Sequence, residues 1–204
     1  MNKIWFISAC FLFMLGCTNS TDPDPQPDTT PLKESTFTVQ NQLNTNAALM
    51  MDLYNGKAYN VADAKTNQAN IDFIFYQYTG TALNHDCYLH SPAQIKADPT
   101  GYGQQQEVDL GINTWTTVND AIVSTTDVTE ATFANLKTTA DLVTLYNKNT
   151  HTMVNYSVVT DVFGDLQGKV FIFQDNKGRK GYFHIKNITL DTGGSMEIEV
   201  KVIK

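Results

Sequence analysis

Met196-Glu197-Ile198-Glu199-Val200-Lys201-Val202 alternates apolar and charged side chains from end to end. Successive residues of a strand point to opposite faces, so a period of two marks a β-strand with one buried face. Two β-prone runs precede it, Lys169-Val170-Phe171-Ile172-Phe173 and Tyr182-Phe183-His184-Ile185. Asp175-Asn176-Lys177-Gly178 separates them, and Asp191 to Gly194 supplies the following turn. The C-terminal end of the chain therefore predicts a three-stranded antiparallel meander, in which His184 lies on the solvent face if Phe183 and Ile185 point inward.

Toward the N-terminus, Leu49-Met50-Met51-Asp52-Leu53 and Lys57-Ala58-Tyr59-Asn60-Val61 flank Asn55-Gly56, a strong hairpin signal. Ile71 to Tyr78 is apolar at both parities, as expected of a central strand, with Asp72 as its polar exception. Helices are fewer. Asp127 with Glu130, ahead of Phe133 and Leu136, and Thr138 with Asp141, ahead of Leu142, Leu145 and Tyr146, read as capping boxes of two short helices between residues 128 and 149. A third is expected over Val61 to Ala69. The class is mainly β, antiparallel sheets arranged as a sandwich or barrel, with two or three short helices.

The chain has 204 residues, 42% hydrophobic and 17% charged, with a net charge of −7. That composition suits one globular domain, and an acidic surface argues against nucleic acid as a partner. Three cysteines in this length are too few for a disulfide scaffold or a multi-cysteine zinc module. Thr18 to about Ser35 carries Pro23, Pro25, Pro27 and Pro31 among Asp22, Asp24 and Asp28, a composition that cannot bury enough surface to fold. Residues 17–35 are therefore expected to form a tether, with a reach of up to about 50 Å, and residues 36–204 a single domain.

Residues 1–16 read as a secretory signal, with Lys3 as the positive region and Ile4 to Leu15 as a short apolar core. Met14-Leu15-Gly16-Cys17 follows and resembles the bacterial lipobox. The resemblance implies cleavage before Cys17, acylation of that cysteine with palmitate or a similar chain, and anchoring in the outer membrane. Acidic residues soon after the cysteine resemble the export signal to the cell surface. Two or three acyl chains hold a protein on a bilayer for practical purposes, whereas one does so marginally. Cys87 then remains as the one free thiol of the mature chain, better read as a packed residue than as a nucleophile.

Signatures of catalysis are missing from the sequence: no glycine-rich phosphate cradle, no paired CxxC, no nucleophile elbow, no HExxH. Gly193-Gly194-Ser195 has hairpin-turn context. His85 and His90 lie five apart around Cys87, on opposite faces of a strand, and two ligands do not make a zinc site. No metal is expected. Residues 165–204 hold seven basic side chains against five acidic ones, and Lys177, Arg179, Lys180 and Lys186 could attract an anion or simply be a solvated hairpin. Tyr76, Tyr78, Tyr88, Tyr102 and Trp115 are expected mostly in the core, with a flat ligand as the other use.

Three strings in order, Leu53-Tyr54-Asn55-Gly56-Lys57, Ile71-Asp72-Phe73-Ile74-Phe75 and Asp175 through Ile185, resemble uncharacterised lipoproteins of Gram-negative anaerobes. More loosely they resemble the HmuY-type haem-binding lipoproteins, a mostly β family in which a tryptophan stands where this chain has Ile71. That resemblance implies a haem or porphyrin carrier, although the family's two axial histidines have no counterparts here. Ligand chemistry alone leaves His85, His90, His151 and Met153 as axial candidates. The sequence thus points to a lipid-anchored, non-catalytic binding or accessory protein with a small-molecule ligand or an outer-membrane protein as partner. A haem carrier and an envelope or polysaccharide hydrolase are the alternatives.

Overall fold

The computed structural model describes residues 26–44, 46–78, 86–100, 104–148, 152–154, 156–160, 166–189 and 193–204. Among these residues lie ten strands: β1 (Lys33–Gln40), β2 (Met50–Asp52), β3 (Lys57–Tyr59), β4 (Phe73–Tyr78), β5 (Asp86–His90), β6 (Ile122–Thr125), β7 (Tyr156–Thr160), β8 (Val170–Gln174), β9 (Lys180–Thr189) and β10 (Ser195–Val202). They form two five-stranded antiparallel sheets, ordered β1-β10-β9-β8-β6 and β3-β2-β4-β5-β7. The expected meander is β8-β9-β10, with Phe171 opposite Phe183 and Phe183 opposite Val200. The Asn55-Gly56 hairpin joins β2 to β3, and β4 is the middle strand of its sheet.

The sheets pack face to face. Phe171, Phe173, Phe183, Ile198 and Val200 of the first meet Met51, Phe73, Phe75, Cys87 and Leu89 of the second in one buried cluster. Phe171 and Phe183 stack with centroids 4.9 Å apart. Cys87 is packed in this core, and the void beside it is about 10 Å³, room for at most one water.

Each sheet also buries its outer face, and this is the main departure from expectation. Among the described residues five α-helices are present, against the two or three expected: α1 (Val61–Thr66), α2 (Pro92–Ala97), α3 (Gln104–Asp109), α4 (Glu130–Ala134) and α5 (Thr139–Lys148). Ile95, Ile112 and Trp115 cover Met50 and Ile74 on one side, while Phe133, Leu136 and Leu142 cover Val170, Ile172 and Tyr182 on the other. The molecule is thus a helix–sheet–sheet–helix stack. Helices α2 and α3 were not anticipated, although Ser91, accepting from Gln94 N–H, and Pro92 at the first helical position form a local start signal for α2.

Burial of both faces corrects the placement of His184. Phe183 and Ile185 do point inward, yet His184 is 3% exposed because α4 lies over it, with the Phe133 ring 5.5 Å away. Lys201, on the same outer face, is 1% exposed and donates to the carbonyls of Ala134 (3.2 Å) and Leu136 (2.9 Å) at the end of α4. A cation there meets carbonyls the helix leaves without partners.

The reading of Thr138 and Asp141 as a capping box matches the geometry: Asp141 N–H donates to Thr138 Oγ1 at 3.2 Å and Thr138 N–H to Asp141 Oδ2 at 2.9 Å. The companion reading is corrected. The cap of α4 is Thr129, which accepts from Thr132 N–H; Asp127 takes no part.

Backbone pairing also begins earlier than residue 36. Strand β1 starts at Lys33, and Leu32 is buried against α4 and α5. Thr139 N–H donates to Thr30 O at 2.8 Å and Ala140 N–H to Asp28 O at 2.9 Å. The first-turn donors of α5 are thereby satisfied by a segment whose composition reads as tether. The proline-rich stretch becomes structural from Asp28 onward.

Candidate functional site

Of the residues the sequence nominated, Cys17, His85 and His151 lie outside the described residues, as do residues 1–16 and Tyr102. Met153 is half-buried, and Tyr146 Oη donates to its sulfur at 3.1 Å. His90 is 2% exposed on the outer face of β5, with its Nδ1 2.6 Å from Glu107 Oε2 on α3. Glu107 is itself sealed from solvent, so burial pushes its carboxyl above the usual range while the His90 hydrogen bond pulls it back. Its Oε1 is buried with no hydrogen-bond partner among the described residues. His90 and Met153 sit on β5 and beside α5 respectively, on opposite outer layers, and do not converge. Among the described residues no three metal-ligating side chains come together.

The basic cluster is also dispersed. Arg179 pairs with Asp175 and stacks on Tyr54, Lys180 sits over the Tyr146 ring, and Lys186 meets Glu197. Of the aromatic candidates, Tyr76, Tyr88 and Trp115 are buried.

Two other places gather chemistry. The first is a junction where the three strings singled out in the sequence meet. Leu53 N–H donates to Asp72 Oδ2 at 2.8 Å, tying the start of β4 to the β2–β3 turn. Asp52 receives Asn55 N–H and Nδ2, closing that turn. Asp175 receives the N–H groups of Lys177 and Arg179, closing the β8–β9 turn. The Tyr54 ring carries Arg179 at 3.4 Å and Lys33 at 3.9 Å, so side chains from both sheets interlock. Gly56 (φ +64°) completes the contact, since a Cβ there would sit 2.3 Å from Ser35 Cβ on β1. Burial, with Asp52 and Asp175 nearby, pushes the Asp72 carboxyl up to about 8 against the opposing pull of the Leu53 hydrogen bond and Arg179. The junction is a clasp between sheets; its carboxylates are enclosed and each is occupied with backbone.

The second is a cleft of about 430 Å³ between the β1–β2 connection and α1. Ala47, Leu49, Val61, Ala62 and Leu110 give it an aliphatic floor, and Gln42, Asn44, Asn46, Asn60 and Lys65 a polar rim. Gln42 is committed to the backbone of Gln77 and Asn44 to Asn41 and Gly194. Asn60 caps α1 by accepting from Asp63 N–H at 2.8 Å. Asn46 is exposed with φ of 56°, the left-handed region that asparagine tolerates better than most side chains. Nothing in the sequence marks these residues as binding groups. The only signal was the amide-rich run Asn41-Gln42-Leu43-Asn44-Thr45-Asn46, which reads as ordinary loop.

The fold defines a mainly β protein of two antiparallel sheets faced by helices. It is similar to a solved structure of a DUF4466 family protein from Parabacteroides merdae, with a TM-score of 0.55 and 18% identity. The match covers 85% of this chain and 54% of that one, so the chain spans about half the length of its structural neighbour. No family model matches the sequence, and no curated protein does.

Proposed function

We propose that the chain is an outer-membrane lipoprotein of a Gram-negative bacterium, anchored through acylated Cys17, whose domain is a non-catalytic binding or accessory module. The observation that carries the anchoring is Met14-Leu15-Gly16-Cys17 directly after a short apolar signal core. The pinning of Asp28 and Thr30 to α5 supports a short leash: residues 18–27 alone are left to span, about 30 Å when extended. The domain is then held close to the bilayer with its α4–α5 layer nearest the anchor and the amide-rimmed cleft on the layer beyond the other sheet. The non-catalytic reading draws on the placement of Asp72, Glu107 and His90 within the packed interior, whereas the cleft offers amides, aliphatics and one ammonium, groups suited to binding.

The test is metabolic labelling with radioactive palmitate, followed by membrane fractionation. The wild type should take up label and fractionate with the outer membrane; Cys17→Ala should do neither. Equal labelling of the two chains would overturn the anchoring.

A further inference from the structure

We infer that the cleft between the β1–β2 connection and α1 is a binding site for an acidic sugar, a polyhydroxylated ring carrying a carboxylate. This deepens the proposed binding role by naming its site and ligand class, and it is independent of the lipid anchor. Three features of the cleft choose that chemistry. Its floor of Ala47, Leu49, Val61, Ala62 and Leu110 is aliphatic, and Val61 is left 37% exposed although it is apolar. The C–H face of a sugar ring would cover such a floor without requiring hydrogen bonds from it.

The rim is built of amides, which donate and accept at once and so match hydroxyl groups, which do the same. Two rim amides retain capacity after their internal bonds are counted. Asn60 uses Oδ1 to cap α1, and no hydrogen bond within the described residues engages its Nδ2. The Asn46 side chain is exposed and has no hydrogen-bond partner among the described residues. Lys65 is the one charged residue lining the cleft, with no ion-pair partner among the described residues. A carboxylate on the ligand would complement it. Phosphate alone would suit the lysine but leave the floor and the amides unused.

The variants can be chosen so that the fold is kept. Asn60→Ser retains the oxygen that caps α1 and removes the spare N–H donor. Asn46→Gly retains the left-handed conformation and removes the amide. Lys65→Met keeps a helix former with no charge. The full chain in detergent is titrated with glucuronic acid, and separately with glucose, by saturation-transfer NMR and isothermal calorimetry. Glucuronic acid should bind the wild type more tightly than glucose does. Asn60→Ser and Asn46→Gly should each weaken both sugars by about fivefold, the worth of one hydrogen bond. Lys65→Met should remove the preference for glucuronic acid while leaving glucose unchanged. No binding of either sugar to a folded wild type, or binding indifferent to all three variants, would overturn the inference. Palmitate labelling reports on the anchor separately, so the failure of one claim leaves the other standing.

Discussion

Replacing Asp72 with asparagine isolates the energetics of the clasp. Leu53 N–H needs an acceptor at this position, and an asparagine side-chain oxygen provides one, with the amide nitrogen standing where the protonated carboxyl now carries its hydrogen. The carboxyl is 2% exposed and its pKa is raised to about 8, against 3.8 for a free carboxyl. Across that window the folded chain holds a proton that the unfolded chain releases, so stability falls as pH rises. The contribution is fully present below pH 3.8 and is lost on approaching pH 8, with a slope of about 1.4 kcal/mol per pH unit. From pH 5 to pH 7 the wild type should lose about 3 kcal/mol relative to Asp72→Asn, which has no proton to release there. For a domain of this size that is about 5–10 °C in Tm. Thermal unfolding followed by circular dichroism at half-unit steps from pH 4.5 to 8 measures the difference between the two proteins, which cancels every other titrating group. The curves should lie close together at the acid end and separate steadily, the variant above. A constant gap across the range would refute the reasoning.

Four further outcomes follow from the packing. Gly56→Ala should destabilise by about 2–4 kcal/mol by combining a left-handed backbone with a steric clash, and adding Ser35→Gly should recover the clash component; urea unfolding of the single and double variants reads both. A chain beginning at residue 26 should unfold like the full chain, whereas one beginning at residue 33 should lose about 2–5 kcal/mol. The shorter chain forfeits two bonds to the first turn of α5 and the burial of Leu32, and calorimetry of the two distinguishes them. Glu107→Ala should cost about 2–4 kcal/mol by removing the buried carboxyl that His90 Nδ1 meets at 2.6 Å. In a haem titration of the full chain, His90→Ala should leave any Soret response as it is in the wild type, because the His90 ring is turned to Glu107 and away from solvent.

Local pattern alone carried the strands. The alternation of Met196 to Val202, the Asn55-Gly56 turn, the two-sided apolar run of β4 and the reciprocal Thr138–Asp141 cap each depend on neighbours within a few residues, so the chain states them without reference to its fold. The proposed anchoring also rests on a local string, Met14-Leu15-Gly16-Cys17, through its resemblance to a lipobox. The outer helix layers were hidden, because covering a sheet is a long-range event. His184 and Lys201 occupy the polar parity of their strands and become buried only when α4 arrives from roughly fifty to seventy residues upstream. Asp28 and Thr30 belong to a stretch that composition assigns to a tether, yet α5 has unsatisfied first-turn donors and their carbonyls are within reach. The three strings around Asp52, Asp72 and Asp175 stood out in the sequence without a stated reason; tertiary structure supplies it by closing two turns against each other. The partner of His90 and the rim of the cleft were decided by folding alone. A hydrogen bond between β5 and α3, or a surface shared by Asn46, Asn60 and Lys65, depends on distances that no spacing along the chain encodes.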